Sequence, residues 1–409
     1  MSFGCGVGEM VAYYQNPLQK SKPHKLLLIT GVIRSGSGPF YRVTYLDRQN
    51  FDITAISLKQ SQEDVENVIH LSFPKAKGKN LKVIGIGLKS HWDFKSLRRL
   101  WDIIRKGEFD IVQTCHAFAG SIGIIFSRLS GIPVIVHFEG TVRDRFSVGG
   151  NLLKSVILSL GSGLVSVSES VERSFSWLEQ VLLQGVKKRV IYNGIDLEEM
   201  ELACTKEEIR KRAGVKDGEF VIGYTGRFIP EKNLPTLIHA VSEICRGHSR
   251  KIRLLLVGDG AERKRIEEII DQSGIKDQCS LTGWVDRQTV YAFLHIMDVF
   301  VLPSFFEGLS WSLVQAMGVG LPVIASDIPP NMEIVTAEVS GLIFRKDSVD
   351  ALADRIRLLM SEPVVRRDLG ENARRFVMEK IHIREVTRSY EEFYLELLHG
   401  KDASRERNA

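Results

Sequence analysis

Cysteines are scarce in this 409-residue sequence, and none of them forms a recognisable pair. The five that occur lie far apart, without any CxxC spacing: Cys5, Cys115, Cys204, Cys245 and Cys279. A zinc cage and a disulfide framework are therefore disfavoured, because each needs closely spaced or paired cysteines. Unpaired thiols are typical of a reducing compartment, so we expect a cytoplasmic protein.

Long hydrophobic runs are also missing. Charged residues interrupt every apolar stretch well before the roughly 18 residues that a membrane-spanning helix needs. The first residues, MSFGCGVGEMVAYY, do not combine a basic region with a following apolar one, as a secretion signal does. We therefore predict neither a membrane span nor a secretion signal.

Several catalytic motifs are absent. The sequence contains no HExxH, GxSxG or GxxxxGK[ST] motif, and it has no DxD pair that would hold a divalent ion on a diphosphate. The third glycine of a dinucleotide-binding fingerprint is replaced by Tyr41 in the turn RSGSGPFYRV, and by Arg263 after Gly258 and Gly260. A dinucleotide-binding dehydrogenase is thus disfavoured, and we expect neither a metal ion nor a cofactor.

Apolar runs alternate with amphipathic stretches along the first half of the sequence. Hydrophobic residues make up 44% of the chain and charged residues 26%, which is the balance of a water-soluble globular protein. The apolar runs are KLLLITGVI, FDITAISL, LKVIGIGL, FDIVQTC, IPVIVHF, GLVSVS and RVIYNGID. Such repetition predicts the α/β class, with a parallel, doubly wound sheet flanked by helices.

The same alternation restarts after the polar helix KEEIRKRAGV, with FVIGYTG, IRLLLVGDG, CSLTGW, VFVLPS and LPVIAS. We predict two Rossmann-like domains, residues 1–200 and 201–378, with the junction near 197–219. A C-terminal helix over 379–400 should pack back toward the first domain, and the polar end over 401–409 should be disordered. Because ligands bind at the carboxyl ends of parallel strands, the two facing sheets should enclose a cleft.

Positive charge is concentrated in residues 75–106, although the net charge of the chain is only +5. The segment carries ten lysines and arginines against Asp93 and Asp102. Its apolar residues follow one helical face: Phe94, Leu97, Trp101 and Ile104. The pattern fits a packed helix with a solvated basic face, and it also fits a surface that meets anionic lipid or a phosphate-bearing acceptor. Nucleic acid is disfavoured, because no aromatic platform accompanies the charge.

A phosphate-binding arrangement follows the strand FVIGYTG. Gly226 lets the backbone approach a ligand closely, and Arg227 and Lys232 stand between the strand and the next helix. An arginine can bind two phosphate oxygens, a lysine adds a point charge, and a helix N-terminus adds partial positive charge. Taken alone, the same two cations are also compatible with ordinary surface charge.

The carboxylate of Glu307 ends a strand in the segment VFVLPSFFEGLSWSLVQAMGVGLPVIASD. Gly308 permits an unusual backbone turn, and the N–H groups of residues 309–312 would point at an anion along the axis of the next helix. The carboxylate can then accept a hydrogen bond from a sugar hydroxyl. Alternatively, it only caps the helix at Ser310.

Taken together, these segments resemble the large retaining glycosyltransferase family four, whose GT-B architecture consists of two facing Rossmann-like domains. The resemblance covers nearly the whole chain, and its pieces are VSVSESV, VIYNGID, YTGRFIPEKN, LLVGDG, LTGWV and the segment around Glu307. It implies metal-independent transfer of a sugar, with retained anomeric configuration, from a nucleotide-diphosphate donor to a hydroxyl acceptor.

The resemblance also implies roles for individual residues. Arg227 and Lys232 match the basic pair on the donor diphosphate, and Glu307 matches a glutamate near the reacting carbon, so these three are the predicted catalytic residues. The predicted donor-binding residues, with the base near 283–285, are Gly226, Gly283, Val285, Phe306, Gly308, Leu309, Ser310 and Gln315. The acceptor would enter from the first domain, near SGSGPF and HFEGT, where the acceptor-side candidates are Gly38, His137 and Glu139.

Two positions depart from the family pattern. The second glutamate of the paired motif, which holds the donor ribose, is Gln315 here; its amide keeps a carbonyl acceptor but loses the charge. A histidine often found just before the glycine of HFEGT is replaced by Glu139, with His137 two residues earlier on the same strand face. Either side chain could orient an acceptor hydroxyl, whereas His137 also fits a core histidine and Glu139 a solvated residue.

These departures keep two other interpretations open. One is a non-catalytic partner subunit that has lost donor binding, and the other is a sugar-nucleotide epimerase or phosphorylase of the same architecture. For a transferase, a uridine diphosphate sugar is the default donor. The acceptor is then a growing polysaccharide, a lipid-linked sugar or a small molecule, and the basic segment favours peripheral contact with an anionic membrane at its inner face.

Overall fold

The protein consists of two parallel β-sheets, each covered by helices, with a cleft between them. The computed structural model describes residues 22–33, 38–73, 81–143, 147–202, 205–247 and 251–406. Every strand pair in both sheets is parallel in this part of the chain. The predicted fold class, two facing Rossmann-like domains of the α/β class, is confirmed.

The N-terminal sheet has seven strands in the order β3-β2-β1-β4-β5-β6-β7. Their bounds are β1 (His24–Thr30), β2 (Phe51–Ser57), β3 (Leu81–Gly85), β4 (Ile111–Cys115), β5 (Val134–Glu139), β6 (Gly163–Ser166) and β7 (Lys187–Val190). Central strands such as β4 and β5 are buried along their whole length, which explains their nearly continuous apolar sequences.

Helices cover both faces of this sheet. Their bounds are α1 (Gly38–Val43), α2 (Gln62–Ser72), α3 (Phe94–Lys106), α4 (Ala117–Leu129), α5 (Val148–Leu158), α6 (Glu169–Arg173) and α7 (Trp177–Leu182). One face packs against α3, α4, α5 and α7 through a core that includes Leu100, Ile124 and Leu158. Cap residues define the helix starts, for example Ser61, which forms a capping box with Asp64.

The C-terminal sheet has six strands in the order β10-β9-β8-β11-β12-β13. They are β8 (Phe220–Thr225), β9 (Ile252–Val257), β10 (Cys279–Leu281), β11 (Val299–Leu302), β12 (Val323–Ser326) and β13 (Leu342–Phe344). The flanking helices are α8 (Lys206–Arg212), α9 (Leu234–Gly247), α10 (Arg263–Ser273), α11 (Arg287–Leu294), α12 (Trp311–Gly318), α13 (Pro329–Ile334), α14 (Val349–Ser361) and α15 (Pro363–Lys380). The three-residue strand β13 was not apparent from the sequence.

The last helix, α16 (Ile383–Glu406), packs on the N-terminal sheet rather than on the domain that precedes it. The hydroxyl of Tyr394 donates a hydrogen bond to the side chain of Gln113 on β4. The ring of Phe393 lies against Gly163 on β6, where an added methyl group would come within 3.0 Å of it. The guanidinium of the buried Arg42 stacks 3.6 Å from the ring centre of Tyr390.

The polar end of the chain corrects one expectation. Residues 401–409 were expected to be disordered, but α16 continues to Glu406. A helix that is already formed and anchored by packing extends at little cost, because only its first turn carries the price of nucleation. Residues 407–409 lie outside the described part, as do Cys5, Cys204 and the first half of the turn SGSGPF. None of the described helices combines the length and the apolarity needed to cross a bilayer.

The packing of α16 predicts a large cost for truncating Phe393. This ring is fully buried against the N-terminal sheet, so Phe393→Ala should lower the free energy of unfolding by about 3–5 kcal/mol, as measured by urea denaturation. Phe94→Ala is the matched control, because Phe94 is exposed and its loss should cost less than about 0.5 kcal/mol. Equal effects of the two substitutions would contradict the packing described for α16.

Candidate functional site

The loops that follow β8 and β9 pack against each other by backbone alone. Gly226 and Gly258 both have positive φ angles, 152° and 138°. A methyl group on Gly258 would lie 1.9 Å from the carbonyl oxygen of Gly226. The amide of Gly226 also donates a 2.9 Å hydrogen bond to the carbonyl of Val257. Only glycine meets both requirements, so these two positions fix where Arg227 leaves the sheet.

A cavity of about 170 Å³ lies between the two domains, at the carboxyl ends of their strands. The C-terminal domain contributes Arg227, Ile229, Glu231, Lys232, Phe306, Glu307, Gly308 and Leu309. The N-terminal domain contributes Gly140, Thr141 and Val142, directly after β5. All three residues predicted to be catalytic therefore line one cavity.

An ion pair occupies the centre of this cavity wall. The ammonium of Lys232 lies 2.5 Å from a carboxylate oxygen of Glu307, and the hydroxyl of Ser304 donates a 2.8 Å hydrogen bond to the same oxygen. Both charged side chains are largely buried, with exposed fractions of 15% and 10%. The attraction between them is therefore screened less than in a surface pair. The arrangement holds a cation and a carboxylate at fixed positions beside the cavity.

Arg227 is exposed at the mouth of the cavity. Its backbone carbonyl accepts a 3.1 Å hydrogen bond from the hydroxyl of Tyr224. Burial raises the pKa of Tyr224 well above its ordinary value, so this hydroxyl stays protonated and keeps donating. The loop position of Arg227 is thus fixed by the neighbouring strand, while its guanidinium is open to a ligand.

The N-terminus of α12 adds backbone donors next to Glu307. Ser310 occupies the cap position, but its side chain forms no capping hydrogen bond with the first turn. Its hydroxyl lies 3.1 Å from that of Ser312 instead. The first N–H groups of a helix have no partner within the helix, so this end presents partial positive charge that suits an anion.

The two domains touch at the glycine of the same loop. A methyl group on Gly308 would lie 2.0 Å from the carbonyl oxygen of Gly140 across the cleft. Ser168 donates a 2.9 Å hydrogen bond to the carbonyl of Gly308. Nearby, the backbone amides of Glu169 and Ser170 donate to the carboxylate of Glu333 on α13. The cavity is therefore walled by both domains in contact.

Several of the other predicted donor-binding residues do not line this cavity. Gly283, with a φ of 71°, pairs with Gly258 in an isolated bridge, and Val285 follows it at the edge of β10. Gln315 is nearly buried on α12 and faces the hydroxyl of Tyr291 on α11. Burial raises the pKa of Tyr291 to about 12. Phe306 and Leu309, in contrast, are part of the cavity wall.

The structure does not bring the acceptor-side candidates to the cavity. His137 is 3% exposed beneath α4, where its Nδ1 lies 2.8 Å from the hydroxyl of Thr114. Glu139 is buried and forms ion pairs with Lys154 and Arg143. Gly38 begins α1.

The residues that follow Glu139, which are Gly140, Thr141 and Val142, reach the cavity instead. The strand end HFEGT is thus at the cavity as predicted, but its histidine and glutamate are not; the residues that follow them are. Glu231 and Ser304 were also missed, although each stands within three residues of a predicted catalytic residue. The closeness of Glu231 and Ser304 in sequence to Lys232 and Glu307 is the signal that could have identified them.

The buried imidazole of His137 makes stability depend on pH. Burial, reinforced by the charges of Lys154 and Arg143, holds the pKa of this ring well below its ordinary value. In the unfolded chain the ring titrates near the ordinary value of about 6.5, so the unfolded state binds more protons below that pH. Stability from this group is therefore complete above about pH 6.5 and is lost as the pH falls.

We expect the free energy of unfolding to fall between about pH 7 and pH 5.5 more steeply in the wild type than in His137→Gln, by up to about 1.4 kcal/mol per pH unit. Urea denaturation at several pH values measures both slopes. Burial also lowers the pKa of His295, but this residue is present in both proteins, so its contribution to the slope cancels in the comparison. Parallel slopes would mean that His137 is not held neutral by the fold.

Comparisons with known proteins agree with this architecture. The model for Glycosyltransferase Family 4 matches residues 41–199, and the model for Glycosyl transferases group 1 matches residues 205–376. A UDP-Gal:alpha-D-GlcNAc-diphosphoundecaprenol alpha-1,3-galactosyltransferase of Escherichia coli is 25% identical over 385 residues, which cover 91% of this chain and 96% of the relative.

Solved structures show the same fold at low sequence identity. The sucrose-phosphate synthase of Thermosynechococcus elongatus superposes with a TM-score of 0.76 at 19% identity, covering 92% of this chain and 100% of that one. Anabaena HepE in complex with UDP-glucose superposes with a TM-score of 0.74 at 17% identity, covering 91% and 99%. With both family models matched in order and the predicted catalytic residues gathered in one interdomain cavity, the chain belongs to the family-four glycosyltransferases of GT-B fold.

Proposed function

We propose that this glycosyltransferase moves a sugar from a uridine diphosphate donor to a hydroxyl acceptor, with retention of the anomeric configuration and without a metal ion. The single observation that carries the proposal is the convergence of Arg227, Lys232 and Glu307 on one cavity between the domains. Two cations and a helix N-terminus suit a diphosphate, and a carboxylate beside them suits the hydroxyls of a neutral sugar.

The cations have the position needed to stabilise a leaving diphosphate. At an effective dielectric constant near 20, a unit charge about 4 Å from a phosphate contributes roughly 4 kcal/mol before desolvation. That contribution accelerates transfer only insofar as it is larger for the departing diphosphate than for the bound donor. Fixed cations at this place would do what a divalent ion does in other transferases, which supports the metal-independent route.

In the proposed reaction, the bond between the anomeric carbon and the diphosphate breaks as positive charge develops on the sugar. The acceptor hydroxyl attacks from the face that the diphosphate leaves, and the departing phosphate oxygen accepts its proton. Glu307, held by Lys232 and Ser304, lies where it can bind a sugar hydroxyl and favour the developing positive charge. Retention then follows from attack on the same face.

The base and ribose would lie outside the small cavity. We place the base beside residues 283–285 and the ribose near Gln315, where an amide oxygen can still accept a hydroxyl hydrogen bond. The uridine assignment is supported by the Escherichia coli relative, which is named for a UDP-Gal donor, and by HepE, whose structure contains UDP-glucose.

The acceptor we propose is a carbohydrate, carried on a lipid or in a growing polysaccharide. The Escherichia coli relative matches 91% of this chain and is named for a sugar linked to diphosphoundecaprenol. We therefore place the enzyme in the cytoplasm, working on glycolipid or polysaccharide precursors at the inner face of a membrane. No nucleic acid partner and no cofactor other than the nucleotide-sugar substrate enters the proposal.

Nucleotide binding tests the donor site directly. Calorimetry with UDP, GDP, ADP and TDP should give clear binding of UDP that EDTA does not change. Arg227→Ala should weaken it by roughly 10-fold or more, because a charge-assisted contact to phosphate is lost. Lys264→Ala on α10 is the control, since Lys264 is equally exposed but lies outside the cavity. Tighter binding of another nucleotide would overturn the uridine assignment. Loss of UDP binding on adding EDTA would overturn the metal-independent assignment.

Glu307→Gln separates binding from chemistry. The amide has the size of the carboxylate and can still accept from Ser304, and Lys232 no longer shares its charge with a carboxylate, so UDP should bind at least as tightly as to the wild type, whereas turnover of the donor should fall about 100-fold or more. Release of UDP from the sugar donor measures turnover. Gln315→Glu serves as a second variant that adds a carboxylate on α12 instead. Wild-type turnover in Glu307→Gln would exclude a role for this carboxylate in the transfer step.

A further inference from the structure

A basic cavity of about 530 Å³ lies far from the interdomain cleft, between α3 and β3 at the edge of the N-terminal sheet. Five of its lining residues are basic and one is acidic: Lys82, Lys95, Arg98, Arg99, Lys106 and Asp102. The five basic side chains are exposed. None of them forms a salt bridge with another residue in the described part of the chain. This concentration of unneutralised cations suits an external anion.

An apolar groove of about 590 Å³ runs along the opposite flank of α3. Its apolar lining consists of Phe94, Leu97 and Trp101 of α3 with Phe126 and Leu129 of α4, and three charged residues of α3 complete it: Arg98, Asp102 and Arg105. Phe94 and Leu129 are 70% and 69% exposed. Neighbouring large apolar side chains that are this exposed mark a surface that binds another apolar surface. One helix thus lies between a basic cavity and a mostly apolar groove, and its Arg98 and Asp102 line both.

The neighbouring helices continue the apolar surface. Ten of the 17 exposed large apolar side chains in the described residues fall between residues 92 and 181, on or beside α3, α4, α5 and α7. These helices form one layer, because they cover the same face of the sheet through a shared core. Two tryptophans, Trp92 and Trp177, are 78% and 76% exposed in it. Tryptophan is the residue that membrane interfaces favour.

The layer also reaches the cleft. Between α4 and α5 an apolar groove of about 320 Å³ is lined by Ala117 and Phe118, which follow β4 at the carboxyl edge of the sheet, and by Leu153 and Ile157. The exposed apolar surface therefore extends from the basic cavity to the edge at which an acceptor would enter. A flat partner that covers this layer would lie next to the mouth of the interdomain cleft.

We propose that the α3 flank of the N-terminal domain docks on an anionic lipid bilayer, with the basic cavity against the headgroups and the exposed aromatic residues in the interface. A bilayer offers negative charge and apolar depth side by side along a plane, which matches the two flanks of α3. A soluble phosphate compound would use the cations but leave the apolar groove uncovered. The surface contains none of the donor-site residues, so the proposal is independent of the sugar-transfer chemistry.

Vesicle sedimentation tests the proposal with the full-length protein. It should bind vesicles that contain phosphatidylglycerol and should bind pure phosphatidylcholine vesicles much more weakly, with an affinity that falls as salt rises. The triple variant Lys95→Ala, Arg99→Ala, Lys106→Ala should lose about 100-fold in partitioning, because each basic residue near an anionic surface contributes roughly a factor of five. The control removes three exposed basic residues of α8: Lys206→Ala, Lys211→Ala and Arg212→Ala.

The aromatic contribution is tested separately with Trp92→Ser combined with Phe94→Ser, which should reduce partitioning about 10-fold or more without changing the salt dependence. Calorimetric binding of UDP by each variant checks that the fold and the donor site are intact. Equal partitioning of the triple variant and the α8 control would overturn the proposal. So would equal binding to both kinds of vesicle, or full displacement of the protein from vesicles by millimolar glycerol phosphate, which would identify a site for a soluble anion.

Discussion

The parallel direction of every described strand is the constraint from which the functional geometry follows. In a parallel sheet all carboxyl ends meet at one edge, and the loops that leave that edge face the same way. β8 and β11 are hydrogen-bonded neighbours, so the loop that carries Lys232 and the loop that carries Glu307 are adjacent although 75 residues separate them. A second sheet facing the first closes the space above these loops. The site is thus a product of topology before any particular side chain is considered.

The ion pair of Lys232 and Glu307 joins the two loops and sets the charge of the cavity. A diphosphate that binds Lys232 has to share that cation with the carboxylate, so arrival of the anion and a change in the surroundings of Glu307 are coupled. Ser304 keeps one hydrogen bond to the carboxylate in either case. Under the proposed mechanism, this geometry would link recognition of the leaving group to Glu307 through one shared ammonium group.

Much of this arrangement could be predicted from the sequence because it depends on local pattern. Twelve of the 13 strands correspond to segments that could be recognised from the sequence, and β13 is the exception. Arg227, Lys232 and Glu307 could be predicted because each stands just beyond a strand. Contacts across the cleft, such as Gly140 with Gly308, could not be predicted, because they depend on how the two domains are oriented.

Burial also limited which side-chain roles could be predicted from the sequence. A central strand in a sheet covered on both sides has no solvent-facing face, so the pattern around His137 is the same whether its side chain meets a ligand or a helix. The strand pattern predicts a solvated or ligand-facing carboxylate at Glu139, but Arg143 and Lys154 form ion pairs with it from a loop and from α5. Ion pairs that join separate elements have no signature in the spacing along one strand.

The placement of α16 has a consequence for how the chain is made. This helix follows both domains in the sequence, yet Tyr390, Phe393 and Tyr394 complete the core on one face of the N-terminal sheet. During synthesis the first domain emerges with that face only partly covered, and some 200 further residues are made before its last layer is available, at a pace of about 5–20 residues per second. The order of translation thus makes the N-terminal domain the first to appear and the last to be finished.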